Sequence, residues 1–481
     1  MSRATRVMRR LSVATALTLM AACAVGPDYH RPKLDAAPSY KEAGDWKPSE
    51  PGDVFSRGPW WEIYRDEVLN QLEVKVDISN ENVKAAAAAF DQSRALVAQA
   101  RAGFWPTVGA NAGVQRGGSP ATTVNAAGQP VTTTRTQTTY SAGVSGIWNL
   151  DIWGQIRRSN ESNRASAQAS AAALAAARLS AQAELATDYF VLRAQDQLQK
   201  LLDDTVVAEQ QSLAITDSRY RYGVAARADV VSAQAQLLSS QAQQVNATIQ
   251  RSLLEHAIAV LIGQQPASFS LGASAMRTDV PTVPAGIPSE LLERRPDVAE
   301  AERRVAAANA QIGVAKAAYF PSLTLSGSDD YSNHTWSHLF TLPNRIWSIG
   351  PALAETLIDG GLRRAQVAGS RAAYEVTVDN YRQAVLTGFQ QVEDDLVTLR
   401  VLERQAVIED AAVAAARESE KLTLNQYKAG TVPYSSVIIA QTTRLSAEQT
   451  ALAVLSSRLQ TSVALIGALG GGWSATQLPL P

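Results

Sequence analysis

Residues 155–222 read QIRRSNESNRASAQASAAALAAARLSAQAELATDYFVLRAQDQLQKLLDDTVVAEQQSLAITDSRYRY, a stretch without a single glycine or proline. As one helix it extends about 100 Å at 1.5 Å per residue, longer than the core of one globular domain. Leu185, Tyr189 and Leu192 recur four and three apart, the spacing of a coiled-coil seam, and the alanines between them permit close interhelical approach. Gly223 then supplies a turn, and residues 228–262 read as a shorter helix coming back. The unit is an antiparallel helical hairpin with its tip at the glycine.

The hairpin occurs twice. Residues 362–429 form a second proline-free stretch, interrupted by Gly369 and Gly388, which turns at Gly430 and returns over 435–466. Tyr220, Gly223, Val230, Ala233, Gln234, Leu238 and Ser239 reappear at a constant offset of 207 as Tyr427, Gly430, Val437, Ala440, Gln441, Leu445 and Ser446. Gly154, Arg157 and Arg158 reappear as Gly360, Arg363 and Arg364, and the Phe104-Trp105-Pro106 landmark as Tyr319-Phe320-Pro321. The chain is two copies of one long motif.

Upstream of each long helix the period changes. After helical stretches at 82–102 and 297–318, Val108, Ala110, Ala112 and Val114 alternate with Thr107, Asn111 and Gln115. Tyr140, Ala142, Val144, Trp148 and Leu150 alternate with Thr139, Ser141, Ser145 and Asn149. In the second copy Leu323 and Leu325 oppose Ser322, Thr324 and Ser326, while Trp347, Ile349 and Leu353 oppose Ser348. These read as two-faced strands of about ten residues, the length of a tilted transmembrane β-strand, with aromatic residues at their ends where an interfacial girdle would lie. The Gly/Thr/Asn-rich links 117–137 and 328–345 read as surface loops.

The first residues place the chain. Arg3, Arg6, Arg9 and Arg10 precede an apolar run at 11–22, an export signal too short to span a bilayer as a helix. It ends in small residues before Cys23, the sole cysteine, which resembles a bacterial lipobox and makes Cys23 the expected lipid attachment site. Ala24 follows where aspartate would signal inner-membrane retention, so the outer membrane is the expected destination. Removal of residues 1–22 leaves 40 basic against 45 acidic residues, which disfavours nucleic acid as a partner. One cysteine excludes a disulfide framework, and four histidines without an H-E-x-x-H arrangement leave little material for metal chemistry. His334 and His338, four apart beside Asp329 and Asp330, read as chance residues of a surface loop. No catalytic constellation, cofactor site or metal site is expected.

Four membrane strands per chain cannot close a barrel, and an open edge in hydrocarbon costs several kcal/mol per unpaired group. Two copies give eight strands and a filled interior; three give twelve and a passage. A trimer is therefore expected.

The residues that carry a family resemblance are Cys23-Ala-Val-Gly-Pro-Asp-Tyr29 with Arg31-Pro32, Trp60-Trp61 with Leu69 and Leu72, and Trp148-Asn-Leu-Asp-Ile-Trp-Gly154 with Arg157-Arg158. Leu291-Leu-Glu-Arg-Arg-Pro-Asp-Val298, running on through Glu302 and Ala306 to Phe320-Pro321, completes the set. From Cys23 to its end the chain resembles the TolC-like outer-membrane efflux proteins, in particular the lipoprotein branch serving resistance-nodulation-division pumps.

The resemblance implies a mainly α fold with a β-barrel: a homotrimeric, 12-stranded outer-membrane β-barrel continued by a 12-helix periplasmic α-barrel. The expected division is a signal peptide at 1–22, a lipidated N-terminal segment and equatorial belt at 23–74, repeat 1 at 75–262, an equatorial linker at 263–293, repeat 2 at 294–469 and a C-terminal equatorial segment at 470–481. The implied partners are a periplasmic adaptor and an inner-membrane transporter, and the implied activity is passive passage of drugs or other small molecules from that pump and adaptor to the exterior. Copper or silver export is less expected, because only Met276 survives for a methionine relay. A trimeric adhesin or structural stalk would also use long coiled coils, but it does not account for two strand pairs interleaved in a duplication.

At the tips, Tyr220, Gly223, Arg227, Asp229, Tyr427 and Gly430 are the residues expected to dock the adaptor or gate the channel. Gly223 and Gly430 also serve as turn residues in their own right, and Asp229 in the first turn of a helix is equally explained by the helix dipole. The family's acidic ring in the second hairpin finds Ile439 near the expected position, which points to a more apolar closure.

Overall fold

The structure is a computed structural model that describes residues 24–34, 37, 39–43, 58–283 and 293–479; Cys23 and the signal segment lie outside the described residues. In chain order the main elements are α1 (Glu67–Ser79), α2 (Glu81–Ala102), β1 (Thr107–Val124), β2 (Pro130–Leu150), α3 (Gln155–Arg221), α4 (Arg227–Leu261), α5 (Pro296–Ala317), β3 (Ser322–Asn333), β4 (Arg345–Ala354), α6 (Leu362–Lys428) and α7 (Tyr434–Ala468). Both long helices, α3 and α6, are 67 residues, in agreement with the glycine- and proline-poor stretches.

The same device starts both long helices. Asp151 accepts the Ile156 and Arg157 amides at 2.9 Å and the Arg157 guanidinium at 3.2 Å. Its counterpart Asp359 accepts the Gly361 and Arg363 amides and the Arg363 guanidinium. These hydrogen bonds, that of Arg363 first, hold the Asp359 carboxyl down at about 2, so it is ionised where the helix dipole favours negative charge. Gly154 and Gly361, at φ 80° and 93°, turn the chain into the helices.

The four strands form one antiparallel sheet in the order β1-β2-β3-β4. β2 pairs with β3 from Leu150↔Leu323 to Tyr140↔Asn333, whereas β1 and β2 remain paired to Val124↔Pro130. This corrects the loop expected at 117–137: most of it is a two-stranded ribbon, closed by a turn in which the Asn125 side chain accepts the amides of Ala127 and Gln129. Ladder hydrogen bonds hold such a ribbon whatever its side chains, so the Thr- and Gly-rich composition misled. β3 likewise continues to Asn333, which shortens the second expected loop to 334–344.

The largest apolar core sits halfway along the long helices. There Trp60, Trp61, Tyr64, Leu69 and Leu72 pack on Leu185, Tyr189 and Leu192 of α3, with Val392 and Leu396 of α6 and Leu459 and Val463 of α7. Above it the N-terminal strap lies in a groove between the two copies. The Val25 amide donates to the Trp153 carbonyl at 3.0 Å, and Arg158, 5% exposed, reaches the Val25 carbonyl and the Asp28 carboxylate. Asn309 donates to the Pro27 carbonyl, the Tyr29 hydroxyl to Glu302 and Arg31 to the Tyr381 hydroxyl. Backbone passes so closely that a Cβ on Gly313 would meet the Val25 carbonyl at 2.9 Å.

Candidate channel wall and helical tips

The register divides the sheet into two chemically distinct faces. On one stand Val108, Ala110, Ala112 and Val114; Tyr140, Ala142, Val144, Trp148 and Leu150; Leu323 and Leu325; and Trp347, Ile349 and Leu353. On the other stand Thr107 and Asn111; Ser141, Ser145 and Asn149; Thr324, Ser326, Ser328 and Ser332; and Ser348, with Ile147 and Ile346 as the large apolar exceptions. The alternation read from the sequence is thus aligned across all four strands. An apolar face toward lipid and a polar face toward a lumen is the pattern of a transmembrane barrel wall.

On the apolar face Val108, Trp347, Ile349 and Leu353 are each more than 60% exposed, as is Trp105 just before β1. The band is bounded at both ends by aromatic residues. At the helical end Trp153 stacks on Phe320 with ring centroids 4.7 Å apart, and Trp148 donates to the Phe104 carbonyl. At the far end Trp336 meets Tyr140, and Phe340 meets Tyr331.

One ion pair lies on the apolar face. Asp329, opposite Trp347, accepts from Arg345 Nε at 2.8 Å and Nη2 at 2.7 Å, a bidentate pair that neutralises both charges on the side facing hydrocarbon. In the sequence Asp329 and Asp330 stand out only as two consecutive acids, which within an alternating strand fall on opposite faces. His334 contacts Thr138 and Thr139 of β2 and His338 contacts Ser337, and no cluster of three or more metal-ligating side chains occurs among the described residues.

At the opposite end of the molecule both tips end alike. Gly223 at φ 74° and Gly430 at φ 81° occupy the left-handed region. The Val224 amide returns to the Arg219 carbonyl and the Thr431 amide to the Gln426 carbonyl, helix-terminating bonds that need glycine between them. Tyr222 and Val224 are 83% and 64% exposed. Tyr220 is half-exposed, Arg227 is exposed without an ion pair among the described residues, and Asp229 sits in the first turn of α4.

Tyr427 departs from this surface group. It is 3% exposed, packed edge-on to Tyr434 at 5.2 Å, and its hydroxyl donates to Thr216 at 3.3 Å. It fastens the two hairpins together instead of offering a docking surface. The residue that covers it, Arg219, was not singled out from the sequence; its counterpart at offset 207 is Gln426, and that break in the repeat was the usable sign. Ile439, at the position of the missing acid, is exposed on α7.

The sequence profile of the outer membrane efflux protein family matches residues 75–264 and 287–471. Nodulation protein T of Rhizobium leguminosarum bv. viciae is 30% identical over 98% of this chain and 95% of its own. The probable efflux pump outer membrane protein TtgC of Pseudomonas putida is 28% identical over 96% of this chain and 95% of its own. Among solved structures, the outer-membrane channel OprN superposes with a TM-score of 0.85 at 29% identity, covering 94% of this chain and all of that one.

Proposed function

The chain belongs to the outer membrane efflux protein family and forms an efflux channel of the outer membrane; from that premise we propose that it works as a passive homotrimeric duct. The observation that carries the reading is the open sheet: β1 and β4 are edge strands of a wall with one apolar face. Their free main-chain groups demand partners in hydrocarbon, where each unpaired group costs several kcal/mol. Three copies supply twelve strands, a lumen lined by the Ser/Thr/Asn face, and helical hairpins extended around the same axis into the periplasm. A native mass measurement in detergent tests this: a trimer is expected, and a monomer or dimer as the only species overturns it.

In this assembly six tips ring the periplasmic end and receive a periplasmic adaptor, with an inner-membrane transporter of the resistance-nodulation-division type beyond it providing the energy; this chain performs no catalysis. The exposed Tyr222 and Val224 beside Gly223 support a docking role for the tip. Gly223→Trp and Gly430→Trp strain the turn by roughly 1 kcal/mol or more, small against a trimer. Heat-stable trimers that no longer crosslink to the adaptor are therefore expected, and unchanged crosslinking and drug export would place the docking surface elsewhere.

Cys23 is the proposed lipid attachment site. The strap supports it by bringing Ala24 against Gly154, at the junction of sheet and helices, where a lipid on the preceding residue would meet the periplasmic leaflet. Cys23→Ser should abolish incorporation of labelled fatty acid, and persistent labelling refutes the assignment. Conductance in planar bilayers separates the duct from a non-transporting stalk.

A further inference from the structure

Asp329 and Asp330 are adjacent in β3 and therefore stand on opposite faces of the sheet. Asp329, on the apolar face, is neutralised by Arg345. Asp330 is on the polar face, opposite Gly143 of β2 and Ile346 of β4, and its side chain has no hydrogen bond or ion pair among the described residues. Within the part of the sheet where all four strands run together, it is the sole ionisable side chain on that face; the next are His334, just beyond β3 against Gln137 and Thr139, and Arg135, out on the ribbon opposite Ser119. Gly143 is what accommodates it: a Cβ there would collide with Asp330 Oδ1, so the carboxylate lies over bare backbone, near the end of the sheet remote from the helices.

We propose that Asp330 sets the charge preference of the outer exit of this channel, favouring cationic over anionic solutes. The proposal rests on the trimer, in which three copies make a ring of uncompensated carboxylates. Twelve strands about 4.8 Å apart and tilted about 40° enclose a wall of roughly 12 Å radius. The Debye length is about 10 Å at 0.1 M salt and 3 Å at 1 M, so the ring's field reaches across the lumen in the first condition and is confined to the wall in the second. The preference is therefore salt-dependent.

A reporter beside the ring tests this without passing through the periplasmic end. Ser332 is two residues along the same face, and the sole native cysteine is at position 23. On whole cells, Ser332→Cys is labelled from outside with a cationic and an anionic methanethiosulfonate of equal size, with the unsubstituted protein as background. At 0.1 M salt the cationic-to-anionic rate ratio should fall about threefold when Asp330→Asn is added, stay high with Asp330→Glu, and lose its dependence on residue 330 at 1 M. An unchanged ratio in a protein that native mass shows to be trimeric overturns the proposal and leaves the trimer standing. Absence of the trimer in the unsubstituted protein overturns the assembly instead. If Asp330→Asn does not assemble, the salt dependence of the Ser332→Cys protein decides, and a flat ratio between 0.1 and 1 M refutes the proposal.

Discussion

The guanidinium of Arg219 stands 4.8 Å from the ring centroid of Tyr427 and donates to the Lys428 carbonyl at 2.8 Å. The last turns of the two long helices, one from each copy of the repeat, are thereby fastened together just above their tips. A cation over an aromatic ring contributes about 0.5–2 kcal/mol depending on its exposure. Arg219→Ala should release the second tip from the first while leaving the trimer intact, and raise basal conductance in planar bilayers; Arg219→Lys should recover part of the closure. Unaltered conductance in Arg219→Ala would show that the contact does not restrain the tips.

The ion pair on the apolar face makes a separate prediction. Arg345→Ala leaves Asp329 alone among Val144, Trp347 and lipid, and Asp329→Ala leaves the guanidinium. Each should lower the denaturant midpoint of the inserted protein in lipid, because one charge is left uncompensated on the face toward hydrocarbon. The double variant should recover most of the loss, because the penalty comes from the uncompensated charge.

Glu73 gives the belt a pH dependence. It is fully buried on α1, both carboxylate oxygens lack a hydrogen-bond partner, and burial, with a smaller contribution from Asp77, pushes its pKa up to about 9. Below about 4.5 the group is neutral folded or unfolded and costs nothing as a charge. Between about 4.5 and 9 the folded state holds a proton that the unfolded state has lost, and stability declines by about 1.4 kcal/mol per pH unit. Burial raises Asp188 to about 6 and Asp395 to about 7, which adds to the decline across a narrower range. Glu73→Gln should match the unsubstituted protein in thermal scans at pH 4.5 and exceed it increasingly toward pH 8. A gap independent of pH would assign the effect to packing.

Arg158 clamps the strap from within the fold. Arg158→Ala should leave the trimer folded yet expose the N-terminal segment to protease, since it loses the Val25 carbonyl and Asp28 contacts together. Arg158 holds the Asp28 carboxyl below its usual pKa, so the clamp is complete above about pH 4 and loosens as acid protonates that group. Cleavage at neutral pH is expected for the variant and not for the unsubstituted protein.

The helices were legible because their signal is local: 68 residues without glycine or proline at 155–222 leave the backbone no other regular option, and the glycines at the ends mark the turns. The membrane-length strands were legible because lipid and lumen impose opposite chemistry on alternate residues. The ribbon at 117–124 and 130–137 was not, since its Thr- and Gly-rich sequence carries no alternation. The fates of Tyr220 and Tyr427 were equally hidden. The repeat makes them equivalent, yet one is half-exposed and the other is covered by Arg219, a difference created where the two copies meet and not within either.

The strap also dictates an order of events in folding. Its partners lie far along the chain: Tyr29 meets Glu302, Arg31 meets Tyr381, and the Lys41 amide meets Glu393, separations of 273, 350 and 352 residues. Contacts of such sequence separation form late, because loop closure must be met before they stabilise anything. The first residues to leave the inner membrane are thus among the last to find their places, and they close over a groove that exists only once both copies of the repeat have docked. Seating of the N-terminus thus draws on both halves at once, Arg158 from the first copy and Asn309, Glu302 and Tyr381 from the second.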